Sequence, residues 1–180
     1  MSGVVLETQR IRLRPYRECD FEDYFAYISD EDLRYWLGLN DVYDRESAWQ
    51  SFNWLLTNRK FLAIELKETG HVIGHLCFHP AFEGLQKRKE YRDKVGESLS
   101  FAVAKPYQRK GLMREALSAV IDRLRVEKKT DFIDMEYLSE NVASSKLKDY
   151  FGFQVVGTEN LGFAELVVCV LSLTDDVEKE

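Results

Sequence analysis

Tyr107-Gln108-Arg109-Lys110-Gly111-Leu112-Met113-Arg114-Glu115-Ala116-Leu117 sets a glycine and two adjacent cations at the point where one hydrophobic period gives way to another. Upstream, Glu97 to Val103 is a strand-like run. Downstream, Leu112, Met113, Ala116, Leu117, Val120, Ile121 and Leu124 recur at helical spacing. A helix that starts here aims its free N–H groups and its positive dipole end into the turn. That arrangement suits phosphate, and Gly111 lets the backbone approach it closely. The pattern is neither a Walker P-loop nor the three-glycine Rossmann fingerprint. A solvated cationic loop before an ordinary helix is the other reading of the same residues.

The segment resembles the pyrophosphate-binding turn of the GNAT N-acetyltransferase superfamily, Arg/Gln-x-x-Gly-x-Gly/Ala, with Gln108, Gly111 and Met113 at the defined positions. Met113 departs from the usual small residue. Methionine followed by x-Glu-Ala resembles the RimJ/RimL-like branch, the ribosomal-protein Nα-acetyltransferases. A second segment, Asn141-Val142-Ala143-Ser144 to Gly152-Phe153, resembles the Asn-x-x-Ser…Gly-Phe ending of the same superfamily. Read locally, it is a short helix that Ser144 or a neighbour starts and Gly152 stops. Together the two segments imply acetyl-CoA as cosubstrate. Gln108, Arg109, Lys110, Gly111, Leu112 and Met113 would face its diphosphate. Asn141, Ser144 and the strand residues Phe101 and Val103 would face the rest.

Composition narrows the classes. With 180 residues, 45% of them hydrophobic, one domain over 1–180 is expected. Cys19, Cys77 and Cys169 are odd in number and far apart, which points to a reducing compartment rather than a disulfide framework. No apolar run is long enough to span a bilayer and the N-terminus lacks signal-peptide character, so a cytoplasmic protein without a membrane partner is expected. A net charge of −6 disfavours nucleic acid and is compatible with a cationic acceptor.

Along the chain, Gln9 to Tyr16 alternates as an opening strand. Asp20 and Asp44 are placed to cap two helices, and Arg34 to Asn40 is a short helix or a cleft loop. Lys60 to Lys67, Val72 to His79, Glu97 to Ala104, Phe132 to Leu138, Phe153 to Gly157 and Gly162 to Leu173 complete the strands. Ala81 to Gly96 is a long connection too polar for core, either a flap over the acceptor or a solvated loop. The fold class is α/β: a mixed, mostly antiparallel sheet of about seven strands with helices on both faces. The resemblance adds a splay between the fourth and fifth strands.

His75, Cys77 and His79 share strand parity, which invites a metal reading. At ~3.3 Å per residue the two histidines would stand too far apart to share one ion, so no metal site is expected.

The resemblance implies direct transfer of the acetyl group to a primary amine, a small molecule or a polypeptide N-terminus, and homodimers are frequent in the superfamily. A base must first deprotonate the amine. Glu97 is the first choice. The superfamily's glutamate aligns better with Ser98, and a one-residue slip reverses the face. Glu136 and Asp134 are the further candidates. Lys148 occupies the usual acid tyrosine position, with Tyr150 two residues away, so the acid has no assigned residue. A non-catalytic acyl-CoA sensor or interaction module on the same fold is the alternative.

Overall fold

The computed structural model describes residues 5–39 and 44–174. In chain order these form β1 (Leu6–Glu7), β2 (Ile11–Pro15), α1 (Phe21–Ile28), α2 (Glu31–Trp36), α3 (Arg45–Thr57), β3 (Phe61–Leu66) and β4 (Val72–Pro80). There follow α4 (Glu83–Gln86), β5 (Gly96–Val103), α5 (Leu112–Glu127), β6 (Phe132–Leu138), α6 (Val142–Phe151), β7 (Gln154–Asn160) and β8 (Glu165–Ser172). The sheet has eight strands in the order β1-β2-β3-β4-β5-β6-β8-β7, mostly antiparallel, with β5–β6 a parallel pair. The mixed α/β class is as expected. The strand beyond the expected seven is β1, whose two residues are too short to carry a period. Among the described residues no helix is long and apolar enough to cross a membrane.

The chain divides into two compact units. The first comprises the described parts of Met1–Cys77 and Phe101–Val120. Its core gathers Tyr16, Phe21, Tyr24, Tyr27, Phe52 and Ala102. Asp44 caps α3 as the sequence predicts, accepting the Ser47 N–H at 2.8 Å. Asp20 does not cap α1 with its side chain. Its carboxylate takes the buried Arg14 guanidinium at 2.6 and 2.8 Å instead. Glu65 takes the Arg14 Nε, and leaving the rest of that buried guanidinium short of partners would cost more than a missing cap, so the ion pair wins the Asp20 carboxylate. The segment expected over Arg34 to Asn40 starts earlier, as α2, with Asp30 accepting the Leu33 N–H; Asn40 lies outside the described residues. Gly74 on β4 admits no side chain, because the Ala102 carbonyl of β5 stands 2.1 Å from where a Cβ would be.

The second unit comprises Phe78–Ser100 and the described part of Ile121–Glu180. Here the connection from Ala81 to Gly96 departs from expectation. It contains α4, and Ala81 and Leu85 are buried against Phe132, Val168 and Val170. Its few apolar residues are spaced too irregularly to show a period, yet they cover one face of the sheet. Gly96 is required where β5 begins, since a Cβ there would lie 2.1 Å from the Phe132 ring. β6 pairs antiparallel with β8 along its length. Its parallel ladder with β5 covers three rungs, Gly96 to Ser98 against Phe132 to Asp134. β5 then runs on to Val103 and β6 to Leu138. These two are the fourth and fifth strands of the sequence reading.

Candidate active site

In the first unit the decisive stretch is a turn between β5 and α5. Gly111 has φ 77 and Arg109 has φ 58, so two of three successive residues are left-handed. Glycine accepts that backbone freely; arginine is strained by it and must be held from outside. Gln108 helps hold it: its Nε2 donates to the Val103 carbonyl at the end of β5, 3.0 Å away. Gln108, Arg109 and Lys110 are exposed, and the Lys110 ammonium lies 5.5 Å from the Tyr107 ring centroid. Leu112 is buried, so it offers the turn only backbone, and Met113 is half-buried. The Glu115 N–H closes the first helical bond onto the Gly111 carbonyl at 3.0 Å. The N–H groups just before it belong to the open end of a sixteen-residue helix. On β5, Phe101 is half-buried and Val103 buried.

Sequence reasoning missed Arg10. Its backbone N–H and Nε bond the two oxygens of Glu115 at 2.8 and 2.7 Å, and its Nη1 donates to the Lys110 carbonyl at 3.0 Å. Thr8 donates to Glu115 as well, at 2.5 Å. Partial burial raises the Glu115 pKa, but these bonds outweigh it and leave the carboxyl below its ordinary value. Nothing local could have signalled this, since the partners are 105 residues apart.

The second unit holds the other candidates. Asn141 caps α6, its Oδ1 accepting the Ser144 N–H at 3.1 Å, which leaves the amide's own N–H donors available. It is thus Ser144's neighbour, not Ser144, that starts the helix. Gly152 ends it in the left-handed conformation at φ 77. Lys148 pairs with Asp149 at 2.6 Å, and Tyr150 is exposed.

The register separates the candidate bases. Glu97 pairs with Ile133 and Ser98 with Asp134, so Glu97 and Ser98 are on opposite faces. Glu97 meets Thr130, whose hydroxyl donates to it at 3.5 Å. Ser98 shares its face with Asp134 and, two residues further along β6, Glu136. Asp134 is fully buried; Ser98 and the Phe82 N–H bond it, and among the described residues its Oδ2 has no hydrogen-bond partner. Burial raises its pKa against those two bonds. Glu136 presents an exposed side chain, yet desolvation of its carboxyl, then the charges of Asp134 and Glu159, push it up to about 6. Val168, opposite Glu136 on β8, lines a cavity of about 200 Å³ together with Phe82, Leu85, Arg88, Gly157 and Glu159.

The histidines go to separate partners. His75 Nδ1 bonds the buried Tyr27 hydroxyl at 3.0 Å, His71 Nδ1 meets Asp23 at 2.9 Å and His79 Nε2 meets Ser100 at 3.0 Å.

Comparison with known proteins bears on these arrangements. Residues 10–154 match the model of an acetyltransferase (GNAT) domain. The uncharacterized N-acetyltransferase YoaA of Bacillus subtilis (strain 168) is 27% identical over 158 residues, 85% of this chain and 84% of that one. Among solved structures, a GNAT-family acetyltransferase from Bacillus anthracis superposes with a TM-score of 0.77 at 18% identity, covering 94% of this chain and 99% of its own. The ribosomal-protein-S5-alanine acetyltransferase of Vibrio fischeri superposes with a TM-score of 0.72 at 17% identity, covering 96% and 98%. At these identities the two structures establish a shared fold.

Proposed function

This chain belongs to the GNAT acetyltransferase family, and on that premise we propose that it moves the acetyl group of acetyl-CoA directly to a primary amine, with Glu136 as the base. The family is one of acetyltransferases that use acetyl-CoA and act on amine acceptors. The observation that carries the donor assignment is the turn Gln108–Met113. Left-handed Arg109 and Gly111 bring the backbone round at the open end of α5, where N–H groups and dipole favour a diphosphate. Exposed Arg109 and Lys110 add positive charge. Buried Leu112 contributes backbone alone, and Met113 flanks the site. Acetyl-CoA, when bound, supplies the activated acyl group. Backbone N–H groups between Phe101 and Val103 steady the oxygen that gains charge. Asn141 offers its amide N–H donors and Ser144 its hydroxyl to the pantetheine portion.

A base must meet a solvent-borne amine and hold a proton near neutral pH. Asp134 is too buried to meet it. Glu97 lies on the face with Ile133 and is bonded by Thr130. Glu136 is exposed, is poised at about 6, and stands opposite a cavity residue. The cavity beside it gives the rest of the acceptor a place to lie. Glu159 on that wall favours a cation, as an incoming ammonium is before it loses its proton. The acceptor is a polypeptide N-terminus or a small-molecule amine. N-terminal peptides come first in any screen, because proteins of this fold include the ribosomal-protein-S5-alanine acetyltransferase. The same reading has the protein working in the cytoplasm, as a monomer or homodimer that sedimentation would distinguish.

The test is acetyl-CoA-dependent release of free thiol across a panel of amines and N-terminal peptides. Release with at least one class is expected, and none with any would sink the reading. Glu136→Gln should then lower turnover by ~10²–10⁴-fold, the usual weight of a general base. It should also remove the acidic limb of the pH–rate profile near 6. That limb falls as pH drops, because protonation takes away the base. A comparable loss in Glu97→Gln, with Glu136→Gln intact, would move the base to the opposite face of β5.

A further inference from the structure

We propose that Arg10 is a positioning residue for the donor's diphosphate, acting through the Lys110 carbonyl and Glu115; this rests on the reading of Gln108–Met113 as the diphosphate site. A turn with a non-glycine residue at φ 58 does not hold itself. Gln108 ties its first residue to β5. Arg10 ties its far side, holding the Lys110 carbonyl with Nη1 and the first turn of α5 with Nε and its own N–H. Arg10 is itself fixed by the bend between β1 and β2, where Thr8 accepts the Ile11 N–H at 3.1 Å and donates to Glu115.

The pair also solves an electrostatic problem. Glu115 stands in the first turn of α5. There a carboxylate favours the helix dipole but repels any anion brought to the same end. The Arg10 guanidinium offsets that charge through Nε on one carboxylate oxygen, while the Arg10 backbone N–H holds the other. It does so beside the anion site itself, since its Nη2 lies 3.6 Å from where a Gly111 Cβ would stand. Without Arg10, the turn loses its outer support and an unpaired negative charge faces the diphosphate. Removing both Arg10 and the Glu115 charge leaves only the lost support.

The experiment compares two donors on the purified full chain, with an amine accepted by the wild type. Acetyl-CoA carries the diphosphate and S-acetylpantetheine does not. The readout is the advantage of acetyl-CoA in kcat/KM, a ratio that cancels any general loss of folded protein or of chemistry. Arg10→Ala should shrink the advantage about 10-fold or more, the weight of one charged hydrogen bond. Adding Glu115→Gln should restore part of it. An unchanged advantage in Arg10→Ala overturns the proposal. So does a double variant no better than the single one, which would make the effect one of shape alone. A wild type that shows no preference for acetyl-CoA over S-acetylpantetheine, while acetylating amines, overturns the diphosphate reading itself and the role of Arg10 with it.

Discussion

The entries of two helices, α5 and α6, are held in different ways. α6 is started by its own neighbour: Asn141 accepts the N–H of Ser144, three residues on. α5 is entered through a turn with two left-handed residues, closed from outside by Arg10 and Thr8, more than a hundred residues away. A self-capped helix spends one of its free N–H groups on itself. A helix braced at its carbonyl and side-chain level can keep those groups for a ligand. On the proposed reading, this difference leaves α5's entry with more free N–H groups for an anion than α6's entry.

Gly111→Glu should have the largest effect. A side chain and a negative charge would then occupy the proposed diphosphate position. A ligand at ~100 times its dissociation constant stabilises a protein by about 2.7 kcal/mol, visible as a melting shift. That shift with acetyl-CoA should vanish in the variant. Retention of full affinity would place the diphosphate elsewhere and remove the distinction between the two helix entries.

Alanine at two of the left-handed glycines is a smaller change. Gly111 and Gly152 have the same φ of 77, and an added Cβ meets nothing closer than 3.6 Å at the first and nothing within 4 Å at the second. Alanine at either position therefore carries mainly the left-handed penalty, about 1–2 kcal/mol. Both variants should lose similar stability in denaturant unfolding. Only Gly111→Ala should also weaken acetyl-CoA binding, measured by calorimetry. Equal effects on binding would show that the strain matters and its location does not.

The mildest test uses acid. α5's entry depends on a carboxylate, α6's on a neutral amide. Glu115 has a folded pKa below its ordinary value. Its contribution to stability is therefore complete above the unfolded pKa of ~4.3 and is lost as pH falls through the lower folded value. Affinity for CoA should be insensitive to this group between pH 5 and 8, on the order of a neutral working range. Below the carboxylate range, amide exchange should accelerate at the start of α5 before it does at the start of α6. The reverse order would mean that Arg10 and Glu115 do not support the turn.

How much of this was legible in advance follows from the range of each interaction. The body of α5, the Asp44 cap and the Gly152 stop each rest on contacts within a few residues, and the sequence displays them directly; the strand Phe132–Leu138 shows as an apolar run although its partners are distant. α4 and the buried Leu85 were hidden, because a four-residue helix has no period and its burial depends on Phe132 and Val168. Asp20 looked like a cap because local chemistry allowed it; Arg14, only six residues back, claimed it once packing had buried its guanidinium.

The longer elements, the glycine turn with its cations and the family they imply could be read from the chain alone, since hydrophobic period, turn chemistry and motif spacing are all local. The tertiary structure alone decided which way β5 presents its residues, separating Glu97 from Ser98 by a register that β6 fixes. It alone raised Glu136 to about 6, because desolvation and the charges of Asp134 and Glu159 act through space. It alone brought Arg10 to Glu115. Face, desolvation and distant charge pairing are properties of packing, and no spacing along a chain encodes them.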